Sequence, residues 1–234
     1  MRFIRGTTAR LVIGILLGFA LAGCSTPTKL ESASTAAAGA ANDPATSANR
    51  AAMSYRRPLV CGVARSPEVR RQIEEAFKRE LNARGVDAVP SFDYLPETRQ
   101  ADEKLFTAVV TNSKADSILL TRLAKVERRA DAQAAGAPRP EASIPPTPSA
   151  DAPPGAYGVY AWGWGAVSDP PQVYAAVDSV VLETFLVDAR TSAVIWRGAT
   201  RVLDPSKVPQ VATDTAKQVV ADLIKRGLVP GVAK

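Results

Sequence analysis

The sequence predicts an α/β (α+β-like) chain with a mixed sheet of about five strands and two to three helices packed on it in a single domain, ending in an antiparallel hairpin followed by a helix. Three observations predict this. Short apolar runs of strand length alternate with longer stretches at helical spacing, two strand-like runs late in the chain flank a short polar turn, and an amphipathic stretch follows them. With 234 residues, 46% of them hydrophobic, the chain has room for one good core or two small ones.

The folded domain is expected over residues 55–234. LVCGVA, Leu59–Ala64, is an apolar run directly before a helix start, as in a buried strand. Cys61 within it is either a small core residue or a reactive thiol. In SPEVRRQIEEAFKRELNARG, Ser66 is the N-cap, Pro67 suits the first helical position, Glu68 favours the positive end of the helix dipole and Gly85 ends the helix. Val69, Ile73, Ala76, Phe77 and Leu81 share one face; Arg70, Arg71, Glu74, Glu75, Lys78 and Arg79 read as a solvated face with i,i+4 pairs. VDAVPS, Val86–Ser91, gives a second short strand. A helix is expected from about Thr98 to Ser113, with Ala101, Leu105, Ala108, Val109 and Asn112 along one stripe. SILLTRLAKVERR, Ser117–Arg129, follows as a strand whose first part is buried on both faces and therefore central.

Residues 130–156 hold seven prolines in alanine-rich surroundings and read as an extended, solvated excursion. AYGVYAWGWG reads as a strand, with Tyr160, Trp162 and Trp164 on one face beside Gly158 and with Gly163 and Gly165 opposite. These aromatics either cover the sheet or are displayed to a partner or to lipid headgroups. With Tyr174 they are the candidate partner-binding residues. VDSVVLETFLVD, Val177–Asp188, and AVIWRGATRVL, Ala193–Leu203, flank the turn ARTS and predict an antiparallel hairpin. On it Glu183 meets Arg197 or Arg201 as a cross-strand ion pair if the register permits. A helix from about Val208 to Arg226 completes the core, with Pro209 in its first turn and Gly227 at its end.

Ahead of the domain, Arg2, Arg5 and Arg10 precede the apolar run Leu11–Ala20 and the small residues before Cys24, the order of an export signal over residues 1–23. A membrane span fits poorly, since it takes about 20 apolar residues. Residues 24–54 contain no aromatic and one leucine, which reads as a flexible linker with an r.m.s. reach of about 30 Å. The tetrapeptide LAGC resembles the lipobox of bacterial lipoproteins. That resemblance implies cleavage before Cys24, acylation of its thiol and new amino group, and routing by Ser25 to the outer membrane. Loss of residues 1–23 removes three arginines and no acid, so the formal charge falls from +6 to +3, and an exported chain this weakly basic is not expected to bind nucleic acid.

The chain has no histidine, which removes the usual general base, the Ser-His-Asp arrangement and imidazole metal sites. No catalytic residue, metal site or cofactor is expected. Asp178 and Glu183 point to opposite strand faces and form no acid pair. Taken together, the LAGC start, RRQIEEAFKRELNARGVDAVPS, KADSILLTRL and FLVDARTSAVIWRGATR resemble small bacterial envelope lipoproteins of an uncharacterised family. More distantly the chain is similar to curli-secretion and penicillin-binding-protein-activator lipoproteins. The resemblance implies a non-enzymatic binding or assembly module held on the outer membrane by lipid on Cys24, facing the periplasm, with an envelope protein or a second copy as partner. The alternatives are a peptidoglycan or glycan binder stacking sugars on the same aromatics, and an enzyme using carboxylates or Cys61.

Overall fold

The computed structural model describes residues 28–35, 54–95, 100–128, 156–165 and 177–231. The expected lipidation and sorting residues Cys24 and Ser25, the candidate Tyr174 and nearly all of the proline-rich excursion lie outside these. Six strands and four helices are described: β1 Thr28–Thr35, β2 Pro58–Val63, α1 Pro67–Asn82, β3 Val89–Pro90, α2 Glu103–Asn112, β4 Ser117–Arg128, α3 Ala156–Gly165, β5 Val177–Asp188, β6 Val194–Leu203 and α4 Val208–Lys225. The strands form one mixed sheet in the order β1-β6-β5-β4-β2-β3. β2 runs parallel to β3 and β4, and the remaining neighbours are antiparallel. Mixed sheet, central β4, C-terminal hairpin and closing helix agree with the sequence.

Local signals set the helix starts. Ser66 accepts a hydrogen bond from the Val69 amide and caps α1, with Pro67 next to it. Asp102 caps α2 by accepting from Leu105 N, which starts that helix at Glu103 rather than near Thr98. VDAVPS contributes only two residues to the sheet before Ser91–Asp93 turns into a short 3-10 segment.

Each sheet face has its own core. On one, α1 and α4 cover Val60, Leu119, Leu186 and Trp196 with Phe77, Leu81, Val219 and Leu223. The Trp196 indole lies over Gly198, where a Cβ would fall 2.3 Å from the ring, and its Nε1 donates to Asp222 Oδ2 at 2.8 Å. On the other face, α2 and α3 cover Leu59, Cys61, Ile118, Leu120, Phe185 and Val187. Cys61 is buried here and burial pushes its thiol up, so it sits as a small core residue in its un-ionised form.

Three expectations need correction. The linker reading fails at Thr28–Thr35, which is an edge strand: TKLESAST buries little, but β6 offers an unpaired row of backbone groups, and the Gln218 side chain bonds both Leu30 N and Thr28 O. AYGVYAWGWG is helix α3 and not a strand. Its aromatics alternate, but Tyr157, Tyr160 and Trp164 are also spaced as one helix stripe, and both neighbours of β4 are already taken. Finally, Arg70 and Glu74 of the supposedly solvated α1 face are 2% and 0% exposed, because α1 lies against Gly62 and the Ser91–Asp93 turn covers them.

Candidate binding site on the sheet face

Past α2, and under α3, the second sheet face continues across β4, β5 and β6. Strand alternation and register bring Arg122 of β4 opposite Glu183 of β5, with Arg197 of β6 paired to Phe185. The Glu183 carboxylate accepts from both arginines. Arg122 Nη2 donates to Oε2 at 2.6 Å and Arg197 Nη2 donates to Oε1. The expected Glu183–Arg197 pair is therefore present, while Arg201 instead pairs with Glu31 of β1.

Helix α3 closes the site from above. The Arg122 guanidinium carbon lies 3.7 Å from the Trp162 ring centroid, and Trp162 meets Phe185 edge-on at 5.3 Å. Gly163 permits this approach, since a Cβ there would lie 3.2 Å from Leu120 Cδ2. Tyr160, a candidate contact residue in the sequence, is buried: it stacks on Phe106 at 4.3 Å, and its hydroxyl accepts from Ala101 N. Trp162 and Trp164 are half-buried; Trp162 lies on the site, while Trp164 meets Tyr160 edge-on at 6.3 Å.

The electrostatics of this cluster are unbalanced. Among the described residues, two guanidinium groups share one carboxylate, which leaves a net positive charge around the buried Arg122. The Arg122 side chain is 1% exposed, and neither its Nε nor its Nη1 has a hydrogen-bond partner among the described residues. Burial pulls the Arg122 guanidinium below its ordinary range, against the opposing pull of Glu183. A desolvated cation on an indole face gains about 2 kcal/mol. Leaving charged N–H donors without acceptors costs more than a neutral group would. The free edge of a guanidinium fits the two oxygens of a carboxylate. Arg122 was legible only as a charge inside an otherwise apolar central strand.

A concavity of about 610 Å³ opens at the far end of the sheet between Tyr55, Lys114, Asp116, Asp188 and Arg190. Its carboxylates already serve the fold. Asp116 accepts from Arg56 N and Arg57 N, and Asp188 accepts from Tyr55 Oη, Arg190 N and both the amide and hydroxyl of Thr191. It also lies at the amino ends of the parallel strands β2 and β4, away from the carboxyl ends where open α/β sheets hold ligands. Among the described residues, no group of three or more Cys, Asp or Glu is arranged to hold a metal, and no helix is long and apolar enough to cross a membrane.

No family model and no curated protein sequence matches the chain. Among solved structures it is similar to a single-substitution variant of PelC from Paraburkholderia phytofirmans, a dodecamer, with 14% identity, 84% of this chain and 97% of that chain covered, and a TM-score of 0.39. It is also similar to a PelC dodecamer from the same organism, with 12% identity, 75% and 89% coverage, and a TM-score of 0.37. At these values the likeness carries no inference about binding or assembly.

Proposed function

We propose that the chain is a lipid-anchored protein of the bacterial outer membrane, facing the periplasm, that acts as a non-enzymatic binding module and captures a carboxylate of an envelope protein on the face around Arg122, Arg197 and Trp162. One observation carries the binding reading: a buried arginine with two nitrogens lacking hydrogen-bond partners, in a cluster whose positive charge exceeds its negative among the described residues. Arg197, whose side chain is 29% exposed, is the guanidinium that a partner carboxylate meets first, and displacement of Trp162 then opens Arg122 to supply both the acceptor and the missing charge. The anchoring reading is supported by the basic, apolar and small-residue order that ends in LAGC. A sugar-stacking role is less well served, since Trp162 gives one face to Arg122 and an edge of contact to Phe185.

Photo-crosslinking in cells tests the binding reading. A crosslinking residue at Ala199 or Val181, both half-buried on this face, should yield a protein adduct. The adduct should disappear when Arg122→Met is added to a chain that melts like the wild type. Its persistence in that variant would overturn the carboxylate-capture reading. Mass spectrometry of the native chain should find residues 1–23 removed and an acylated amino-terminal Cys24, and an intact amino terminus with an unmodified thiol would overturn the anchor.

A further inference from the structure

We infer that the end of the sheet where β1 begins lies against the lipid surface, with Leu203 seated among the headgroups and Lys29 and Lys207 contacting their phosphates; this rests on the anchoring of Cys24 proposed above. The inference comes from chain length. β1 starts at Thr28, four residues after Cys24, so the acylated sulfur and the folded domain are separated by at most about 14 Å of extended backbone. A leash of some thirty residues would let the domain stand away from the membrane. Four residues fix which end faces it.

Register then identifies that end. Thr28 is paired with Val202 and Lys29 with Arg201, so Leu203, the next residue of β6, extends past the start of β1. Leu203 is 46% exposed, one of two large apolar side chains so exposed among the described residues. Lys29 is exposed beside it on β1, and Lys207 is exposed at the foot of α4, after the turn that Asp204 stabilises by accepting from Ser206. Glu31 at this end is paired with Arg201 and the exposed Asp204 with the Ser206 amide and hydroxyl, so an apolar side chain between the ammonium groups of Lys29 and Lys207 matches the boundary between acyl chains and anionic phosphates. The concavity at Asp116 and Asp188 lies at the opposite end of the same sheet and is directed away from the lipid.

The test uses the full lipidated chain in vesicles of phosphatidylethanolamine and phosphatidylglycerol carrying a headgroup-level quencher. A fluorophore is placed at Ser206→Cys or, at the far end, at Arg190→Cys; Cys61 is buried and does not compete for label. Strong quenching at 206 with little at 190 is expected. Equal quenching, or the reverse order, would overturn the orientation while leaving the anchor intact. Failure of the wild-type chain to stay with the vesicles would overturn both. Leu203→Ser with Lys207→Ser should weaken quenching at 206 by about five-fold or more without changing the melting curve. Undiminished quenching in that variant would overturn the assigned contacts.

Discussion

Two arginine–glutamate pairs are buried among the described residues, and they differ in how completely they are satisfied. In the α1 pair, Glu74 accepts from Arg70 Nε at 2.9 Å, Gly62 N at 3.0 Å, Ser91 Oγ at 2.7 Å and Phe92 N at 2.8 Å, while Arg70 Nη2 donates to Ser91 Oγ. This pair ties α1, β2 and the Ser91–Asp93 turn together, and its charges balance. In the sheet-face pair, Glu183 is shared by two arginines while Arg122 keeps two nitrogens without partners. A closed network specifies a fold, and an open one retains capacity for something else.

The comparison predicts a wide difference in mutational cost. Glu74→Ala leaves Arg70 buried without its carboxylate and three further donors without an acceptor, and should destabilise by about 3–5 kcal/mol in urea denaturation. A loss below about 1 kcal/mol would mean that water reaches the pair and that it does not organise α1. Gly62→Ala attacks the same network through packing. The added Cβ would sit 3.1 Å from the Arg70 carbonyl oxygen, pushing α1 off β2 at a cost of about 1–3 kcal/mol. Differential scanning calorimetry should register it as a lowered Tm with unchanged far-ultraviolet dichroism.

A smaller effect separates the Glu74 carboxylate from one held without any arginine side chain. Burial pushes the Glu74 carboxyl above its ordinary range, against Arg70 and its hydrogen bonds, so its contribution to stability falls as pH rises from the ordinary glutamate value through the raised folded one. Asp188 behaves oppositely. Burial works against its ionised form, but donors from Thr191, Tyr55 and Arg190 outweigh it and hold the carboxyl below the ordinary aspartate range. Its contribution is fully present above about pH 4 and is lost as pH falls through the lowered folded value. Urea midpoints measured against pH should therefore show a shallower acid-side decline in Asp188→Asn, and Glu74→Gln should remove a decline of the other sign. Parallel curves for both variants would erase the distinction.

Where a signal was local, the sequence carried it. The Ser66 cap and Pro67 define the start of α1 within four residues, and the β-branched and aromatic runs around ARTS define the β5–β6 hairpin and its Glu183–Arg197 contact. What was illegible depends on partners distant in sequence. β1 is polar and exists through pairing with β6, some 170 residues on, so composition alone reads it as linker. The aromatics of α3 fit a strand and a helix equally well until β2 and β5 are seen to occupy both edges of β4. Arg70 and Glu74 are an i,i+4 pair whether solvated or covered, and only the Ser91–Asp93 turn decides between the two. The candidate site was half visible, in Trp162 and Glu183; Arg122, which joins them, becomes a site residue only when its unpartnered nitrogens are seen.

The most direct test of the central claim, that Arg122 is kept for a partner and Arg70 for the fold, is the urea midpoint of Arg122→Met set beside that of Arg70→Met. Methionine can fill the space under Trp162, and Glu183 keeps Arg197, so Arg122→Met should lie within about 1 kcal/mol of the wild type while Arg70→Met loses about 3 kcal/mol or more. Equal losses in the two variants would make Arg122 a structural residue and contradict the account.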